Sequence, residues 1–263
     1  MELRQDNPLA ILRWAIRSQG LVVTVLSFAL KALALVGPDL TRAAWYRELR
    51  DRHIDRKFAI DTAGSAEPAD LGVDQAKITE INGYQPSTPL AFHLIFSTLG
   101  IRHEQYTFID IGSGKGRALF LAAEYPFKRI VGIELSKDLH EAASRNICTF
   151  RSRSQRCFDI RLVQQDATDF EFPDGSLVVY LNNPFHEAIL GQVIERVRRS
   201  YADHPRHIVV VYFFPSHRRL LDGESFLTPI DFEGALRGPV RRLMPVHQRN
   251  YSEPWVAIYE TEQ

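Results

Sequence analysis

The residues best placed to do chemistry stand close together in Asp110-Ile-Gly-Ser-Gly-Lys-Gly116, with a second acid further on at Glu134. Three glycines within five positions let a turn take positive φ angles and lie against a ligand. A negative group of that ligand then meets the free N–H donors of a helix start. An acid at the tip of the following strand can accept from both hydroxyls of a ribose. Together these are the parts of a site for an adenosine-type cofactor, bound outside the carboxyl ends of parallel strands.

Spacing separates three cofactor readings. A phosphate-gripping loop needs GxxxxGK[ST], but Lys115 is followed by Gly116, and Ile109 occupies the position of the earlier glycine. A dinucleotide fingerprint needs GxGxxG, whereas this chain has GxGxG with Arg117 in the third glycine's place. Asp110, two residues before the first glycine, would repel a pyrophosphate yet suits a cationic amino group. A nicotinamide-dependent oxidoreductase is thereby disfavoured.

Asp110-Ile-Gly-Ser-Gly-Lys-Gly116 with Glu134 resembles the signature of class I, seven-β-strand S-adenosylmethionine-dependent methyltransferases. The resemblance implies an α/β, Rossmann-like seven-stranded sheet, mostly parallel with an antiparallel last strand and helices on both faces. It also implies S-adenosylmethionine contacts at Asp110, Gly112, Ser113, Gly114, Gly116, Glu134 and Leu135. In this class an acid followed by a small residue after the third strand accepts from the adenine amino group, which places Asp166 and Ala167 in the set. Asn182-Asn183-Pro184-Phe185 resembles the Asn-Pro-Pro-Tyr/Phe motif of enzymes that methylate amino or amide nitrogen, with Asn183 in place of the first proline. These four are the candidate catalytic residues, and Asn182 is a candidate cofactor contact as well. The substitution leaves open which asparagine meets the target. Tyr84 and Thr88, in Gly83-Tyr-Gln-Pro-Ser-Thr-Pro89, resemble the turn that closes over the methionine end in seven-strand protein-lysine methyltransferases. Ser87 or Thr88 capping a helix that opens at Pro89 is the competing account. Phe58-Ala-Ile-Asp-Thr-Ala-Gly64 resembles a segment of bacterial methyltransferase-like proteins and is a candidate lid. The motif resemblance runs from Tyr84 to Phe185.

The elements needed to position these residues are legible. Tyr106–Ile111, Arg129–Ile133, Ile160–Val163, Leu177–Leu181 and His207–Phe214 are short apolar runs of the kind buried in parallel sheets. Helices are expected at Leu90–Leu99, Arg117–Glu124, Ser136–Asn146 and His186–Tyr201, and a closing antiparallel pair at Phe226–Phe232 and Trp255–Glu260. Arg237–Arg249 between that pair is expected to be an arginine-bearing loop, and His217 is a candidate general base at a strand end.

Residues 1–75 are expected to be a helical N-terminal extension or lid, and 76–263 the cofactor-binding domain. Within the extension, Thr41–Ile54 looks like a charged helix. Leu21–Val36 is the most hydrophobic segment, with Thr24, Ser27 and Lys31 on one narrow helical face. As a helix it would be about 24 Å long, short of the roughly 30 Å hydrocarbon core. Packing on the domain or on a partner subunit, lying in a membrane surface through residues 9–36, and serving as a secretory signal remain open.

The chain has 263 residues, zero formal net charge and two cysteines, Cys148 and Cys157, with no CxxC pair. Neutral charge removes the global pull toward nucleic acid. The cysteine pattern suits free thiols in a reducing compartment such as the cytoplasm and supplies no zinc site. The expected function is methyl transfer to nitrogen of a protein or small molecule, without a metal. The opposing reading is a non-catalytic S-adenosylmethionine-binding or membrane-peripheral module.

Overall fold

The computed structural model describes residues 7–33, 44–236 and 255–262. Three helices come first: α1 (Pro8–Gln19), α2 (Leu21–Leu33) and α3 (Ala44–Phe58). A one-turn helix α4 (Gln75–Ile78) and the apolar α5 (Pro89–Thr98) lead into the sheet. There follow β1 (Tyr106–Ile111), α6 (Arg117–Ala122), β2 (Arg129–Glu134), α7 (Lys137–Thr149), β3 (Ile160–Gln164) and β4 (Ser176–Leu181). Next come α8 (Glu187–Asp203), β5 (Ile208–Phe213), the one-turn α9 (Arg219–Asp222), β6 (Thr228–Ile230), the one-turn α10 (Phe232–Ala235) and β7 (Val256–Glu260).

The seven strands lie in the order β3-β2-β1-β4-β5-β7-β6, and β7 runs antiparallel to both neighbours. The remaining pairings, β3 to β5, are parallel. This is the Rossmann-like seven-stranded sheet expected from the resemblance. The chain crosses over between β1 and β4, so a crevice opens outside their carboxyl ends.

Period-two alternation assigns each strand residue to a face. Phe108, Val178, Tyr180, Val209 and Val211 point to one core with α5 and α6, whereas Ile109, Ile111, Val179, Leu181 and Val210 point to another with α8. Both faces are covered, which is why β1 and β5 are buried at every position. Phe92, Phe96, Phe108 and Tyr180 pack edge-on or tilted in the first core, with centroids 4.4–6.3 Å apart.

The N-terminal helices share the first core. Ile11, Trp14 and Ala15 of α1 and Ile54 and Phe58 of α3 are buried in it. The α3 helix runs on to Phe58, past the Ile54 expected from its charge pattern, because Ile54 and Phe58 are one turn apart and both fully buried. Its upstream residues 41–43, the tail of the expected apolar helix at 34–36 and the arginine-bearing loop at 237–249 lie outside the described residues. α1 and α2 meet at Gly20 with a bend of 118°, and among the described residues no single helix is long and apolar enough to cross a membrane.

A buried ionic cluster ties α3 to the start of α6. Arg117, 1% exposed, donates from Nη2 to Asp55 Oδ1 at 3.0 Å and from Nη1 to Asp51 Oδ1 at 3.4 Å, while its Nε donates to Thr62 Oγ1. Asp55 Oδ2 also accepts from the N–H groups of Thr62 and Ala63 at 2.9 and 2.7 Å. Removing one partner of such a group leaves an uncompensated buried charge. Arg117→Met is therefore expected to cost about 3–5 kcal/mol in urea unfolding, with Asp51→Asn and Asp55→Asn together restoring part of the loss.

Candidate functional site

β1 ends at Ile111, and the glycine turn follows with φ +75° at Gly112 and +55° at Gly114. A Cβ on Gly112 would sit 2.7 Å from Pro184 Cβ, and one on Gly114 would sit 2.5 Å from the Tyr84 ring. Both positions thus need glycine for close approach as well as for backbone angle. The turn is held from below by β2: the Gly112 and Ser113 N–H groups donate to Ile133 O at 2.9 Å, and Gly114 N–H donates to Glu134 Oε2 at 2.7 Å.

A cleft enclosing about 880 Å³, part of it open solvent, lies over the turn at the β1–β4 crossover. The structure brings Tyr84, Asp110, Gly112, Ser113, Gly114, Glu134, Leu135, Asp166, Ala167, Asn182, Pro184 and Phe185 to its wall. Thr88, Gly116 and Asn183 are not on it. Thr88 is the N-cap residue of α5 and lines a second cavity, although its side chain makes no capping bond. Gly116, at φ +88°, is the N-cap of α6 and lies against Phe120 and Leu119. Asn183, at φ +48°, accepts from Tyr212 Oη at its Oδ1 (3.0 Å) and donates from Nδ2 to Ser216 Oγ (3.1 Å).

The acids differ in their commitments. Asp110 is 2% exposed and its carboxyl makes no hydrogen bond or ion pair among the described residues; burial first, and then the Glu134 charge, push its pKa well above the carboxylate range. Glu134 accepts from the N–H groups of Gly114 and Ser136, and burial still raises its pKa against these donors. The Leu135 N–H adds to these donors, and the carboxylate still faces the cleft. Asp166 also feels burial, which alone would raise it, but Lys77 and the two donors of Thr168 outweigh that and lower its pKa.

Sequence reasoning missed the strap that closes one side of the cleft. Asn82 donates its N–H to Pro184 O and its Nδ2 to Asn183 O, both at 2.9 Å, and His186 N–H donates to Glu80 O. On its other edge the strap exchanges two bonds between Ala66 and Tyr84. Lys77 was missed too. No local pattern marks either residue, since their partners lie 89 and 101 positions away. The 58–64 segment, the candidate lid, does not line the cleft. It braces the turn from outside, where Asn146 Nδ2 joins Asp61 O to Lys115 O, Lys115 Nζ donates to Ala63 O, and Tyr84 Oη donates to Thr62 O. His217 packs against His186, ring centroids 6.0 Å apart, and lines neither cavity.

Residues 108–203 match the family model described as a methyltransferase domain. No curated protein matches the sequence. Among solved structures the chain is similar to a ribosomal protein L11 methylase from Lactobacillus delbrueckii subsp. bulgaricus, with 16% identity over 70% of this chain and 81% of that one and a TM-score of 0.43. It is also similar to an RNA methyltransferase from Salinibacter ruber in complex with S-adenosyl-L-homocysteine, with 16% identity over 68% and 92% of the two chains and a TM-score of 0.38. With this sheet order and this turn, residues 108–203 match a methyltransferase domain, for which the expected methyl donor is S-adenosylmethionine.

The cleft fits that donor on two observations. Asp110 is a buried carboxyl without a partner, and the turn is a cradle that a Cβ would fill. Because the folded pKa of Asp110 is raised, the folded state keeps a proton that the unfolded state gives up, and stability falls as pH rises above the ordinary carboxylate range. Asp110→Asn is expected to raise the unfolding temperature of the ligand-free protein, more at pH 8 than at pH 5, while weakening S-adenosylmethionine at least tenfold, about 1.4 kcal/mol. Differential scanning calorimetry and a binding titration check the two halves.

Proposed function

We propose that this methyltransferase transfers its methyl group to a nitrogen atom of a protein or small molecule, and that Asn182 orients the acceptor. The observation that carries the reading is the position of Asn182 where two cavities meet. The cleft over the glycine turn and a second space of about 1890 Å³, also partly open solvent, share Gln85, Pro86 and Asn182.

S-adenosylmethionine supplies an already activated methyl group, so the protein's task is to position and desolvate. Asp110 is suited to hold a cationic amino group, Glu134 a pair of ribose hydroxyls, and the cleft side of Asp166–Ala167 an adenine edge. The Lys77 ion pair on Asp166 competes with the last of these. Asn182 Nδ2 donates to Gln85 O at 3.0 Å, which leaves Oδ1 to accept from an incoming N–H and aim the nitrogen lone pair. Pro184 and Phe185 wall the cleft beside it. Asn183, held by Tyr212, Ser216 and Asn82, sets the backbone of the motif and is not free to face an acceptor. Among the described residues no group of three histidines, cysteines, aspartates or glutamates is placed to hold a metal.

Residues 1–75 serve in this reading as an extension of the domain at 76–263 that reaches both sides, with Leu71 and Val73 on the cofactor cleft and the helices on the acceptor side. Gln19, Ser27, Lys31, Tyr46 and Arg50 face the second space from α1, α2 and α3. Cys148 and Cys157 are free thiols, which suits a reducing compartment such as the cytoplasm.

The test uses S-adenosylmethionine labelled in its methyl group with pools of peptides and small amines. Label that stays with the acceptor after alkaline treatment fits nitrogen; label released as methanol marks a carboxylate ester and contradicts it. Asn182→Ala is expected to lower turnover by about a hundredfold, on the scale of one lost orienting contact, with cofactor affinity changed less than threefold.

A further inference from the structure

α2 is built inside out. Its polar residues face the protein: Thr24 is fully buried, Ser27 is 5% exposed and accepts from Gln19 Nε2, and Lys31 lines the second cavity. Val23 and Leu30 are buried beside them, but Leu21, Val22, Val25, Phe28 and Leu33 face outward, between 40% and 61% exposed. A helix in a water-facing domain normally shows the opposite pattern. Spacing at i, i+3, i+4 and i+7 makes Leu21, Val25 and Phe28 one continuous outer stripe.

The neighbouring helix adds charge to the same kind of surface. On α1, Leu9 and Leu12 are exposed at 66% and 38%, and Arg13 and Arg17, one turn apart, are exposed with them. No acidic residue lies in α1 or α2. On α3, Trp45 is half exposed. Single exposed apolar side chains are ordinary, but a whole exposed apolar helix stripe with exposed arginines on the adjoining helix is not.

We propose that the outer faces of α1 and α2 dock on a bilayer surface carrying anionic headgroups. The 13 residues of α2 would extend about 20 Å, too short for a hydrocarbon core of about 30 Å, and the 118° bend to α1 breaks any longer span. The helix therefore lies in the interface, with its apolar stripe at the acyl boundary and Arg13 and Arg17 among the headgroups. Lipid is favoured over a second copy of the chain by charge complementarity: two copies brought together through this face would set Arg13 and Arg17 against the same arginines with no acid on either helix to offset them. The proposal does not depend on the identity of the acceptor or on turnover. It has one consequence for the enzyme, since the inner face of the same helix lines the space beside Asn182 and docking would turn that side of the molecule toward the membrane.

Co-sedimentation of the full chain with vesicles tests it, using phosphatidylcholine alone and phosphatidylcholine with a third phosphatidylglycerol. The expected result is binding to the anionic vesicles that falls roughly fivefold for each of Arg13→Gln and Arg17→Gln, the scale for one basic residue near such a surface. Leu21→Glu with Val25→Glu should reduce binding at least tenfold, with an unchanged unfolding temperature because both positions are exposed. Absence of binding to anionic vesicles, or binding that Leu21→Glu with Val25→Glu leaves intact, overturns the proposal. So does a dimer in sedimentation velocity that the same pair of substitutions dissolves, which would assign the face to a second copy.

Discussion

A carboxyl group buried at the tip of β1 without a partner is the constraint around which the site is arranged. Asp110 sits opposite Gly132 and Tyr180 in the parallel ladder, in the middle of the sheet, where an ionised acid is costly. No ion pair to it is found among the described residues, and the charge that acts on it is another acid, Glu134. A fold keeps such a group where a ligand supplies the missing charge. The surrounding architecture serves that arrangement: the crossover opens a crevice above Asp110, the glycines let the backbone approach it closely, and Glu134 ties the turn to β2.

The glycine turn is in turn braced by a buried ionic cluster whose Arg117 also reaches the cleft wall. Arg117 begins α6 immediately after Gly116 and is anchored by Asp51 and Asp55, one turn apart on α3. Thr62, Asp61 and Ala63 fill the gap and reach Arg117, Asn146 and Lys115. The N-terminal helices are thereby coupled to the cofactor side of the molecule through ionic contacts and to the sheet through Ile54 and Phe58. They also line the second cavity, so one structural unit connects the candidate acceptor side to the turn.

What was legible in the sequence was what is local. The apolar run, the acid, the glycine spacing and the next strand lie within one strand-helix-strand unit, so their order in sequence is also their order in space. The sheet followed because β4 and β5 are unbroken apolar runs that only a two-sided sheet can bury. What could not be read depends on distant pairings. Asn82 and Lys77 act on residues about a hundred positions away, and the commitment of Asn183 to Tyr212 depends on how β4 and β5 sit side by side. The Ser-Thr-Pro turn satisfied two rules at once, capping and lid formation, and the structure puts Thr88 at the cap and on the other cavity. In α2 the sequence left the buried face open, and the structure buries Thr24 and Ser27 together with Val23 and Leu30.

The most direct test of the central claim is calorimetric titration of the protein with S-adenosylmethionine and S-adenosylhomocysteine in two buffers of different ionisation heat. Burial raises the pKa of Asp110 in the free protein, and a cationic amino group placed beside it would lower that pKa, so binding is expected to release protons. The account predicts a saturable micromolar site, on the order of −8 kcal/mol, with protons released to the buffer. A flat titration with both compounds, or saturable binding with no proton release at a pH where Asp110 is protonated in the free protein, would contradict it.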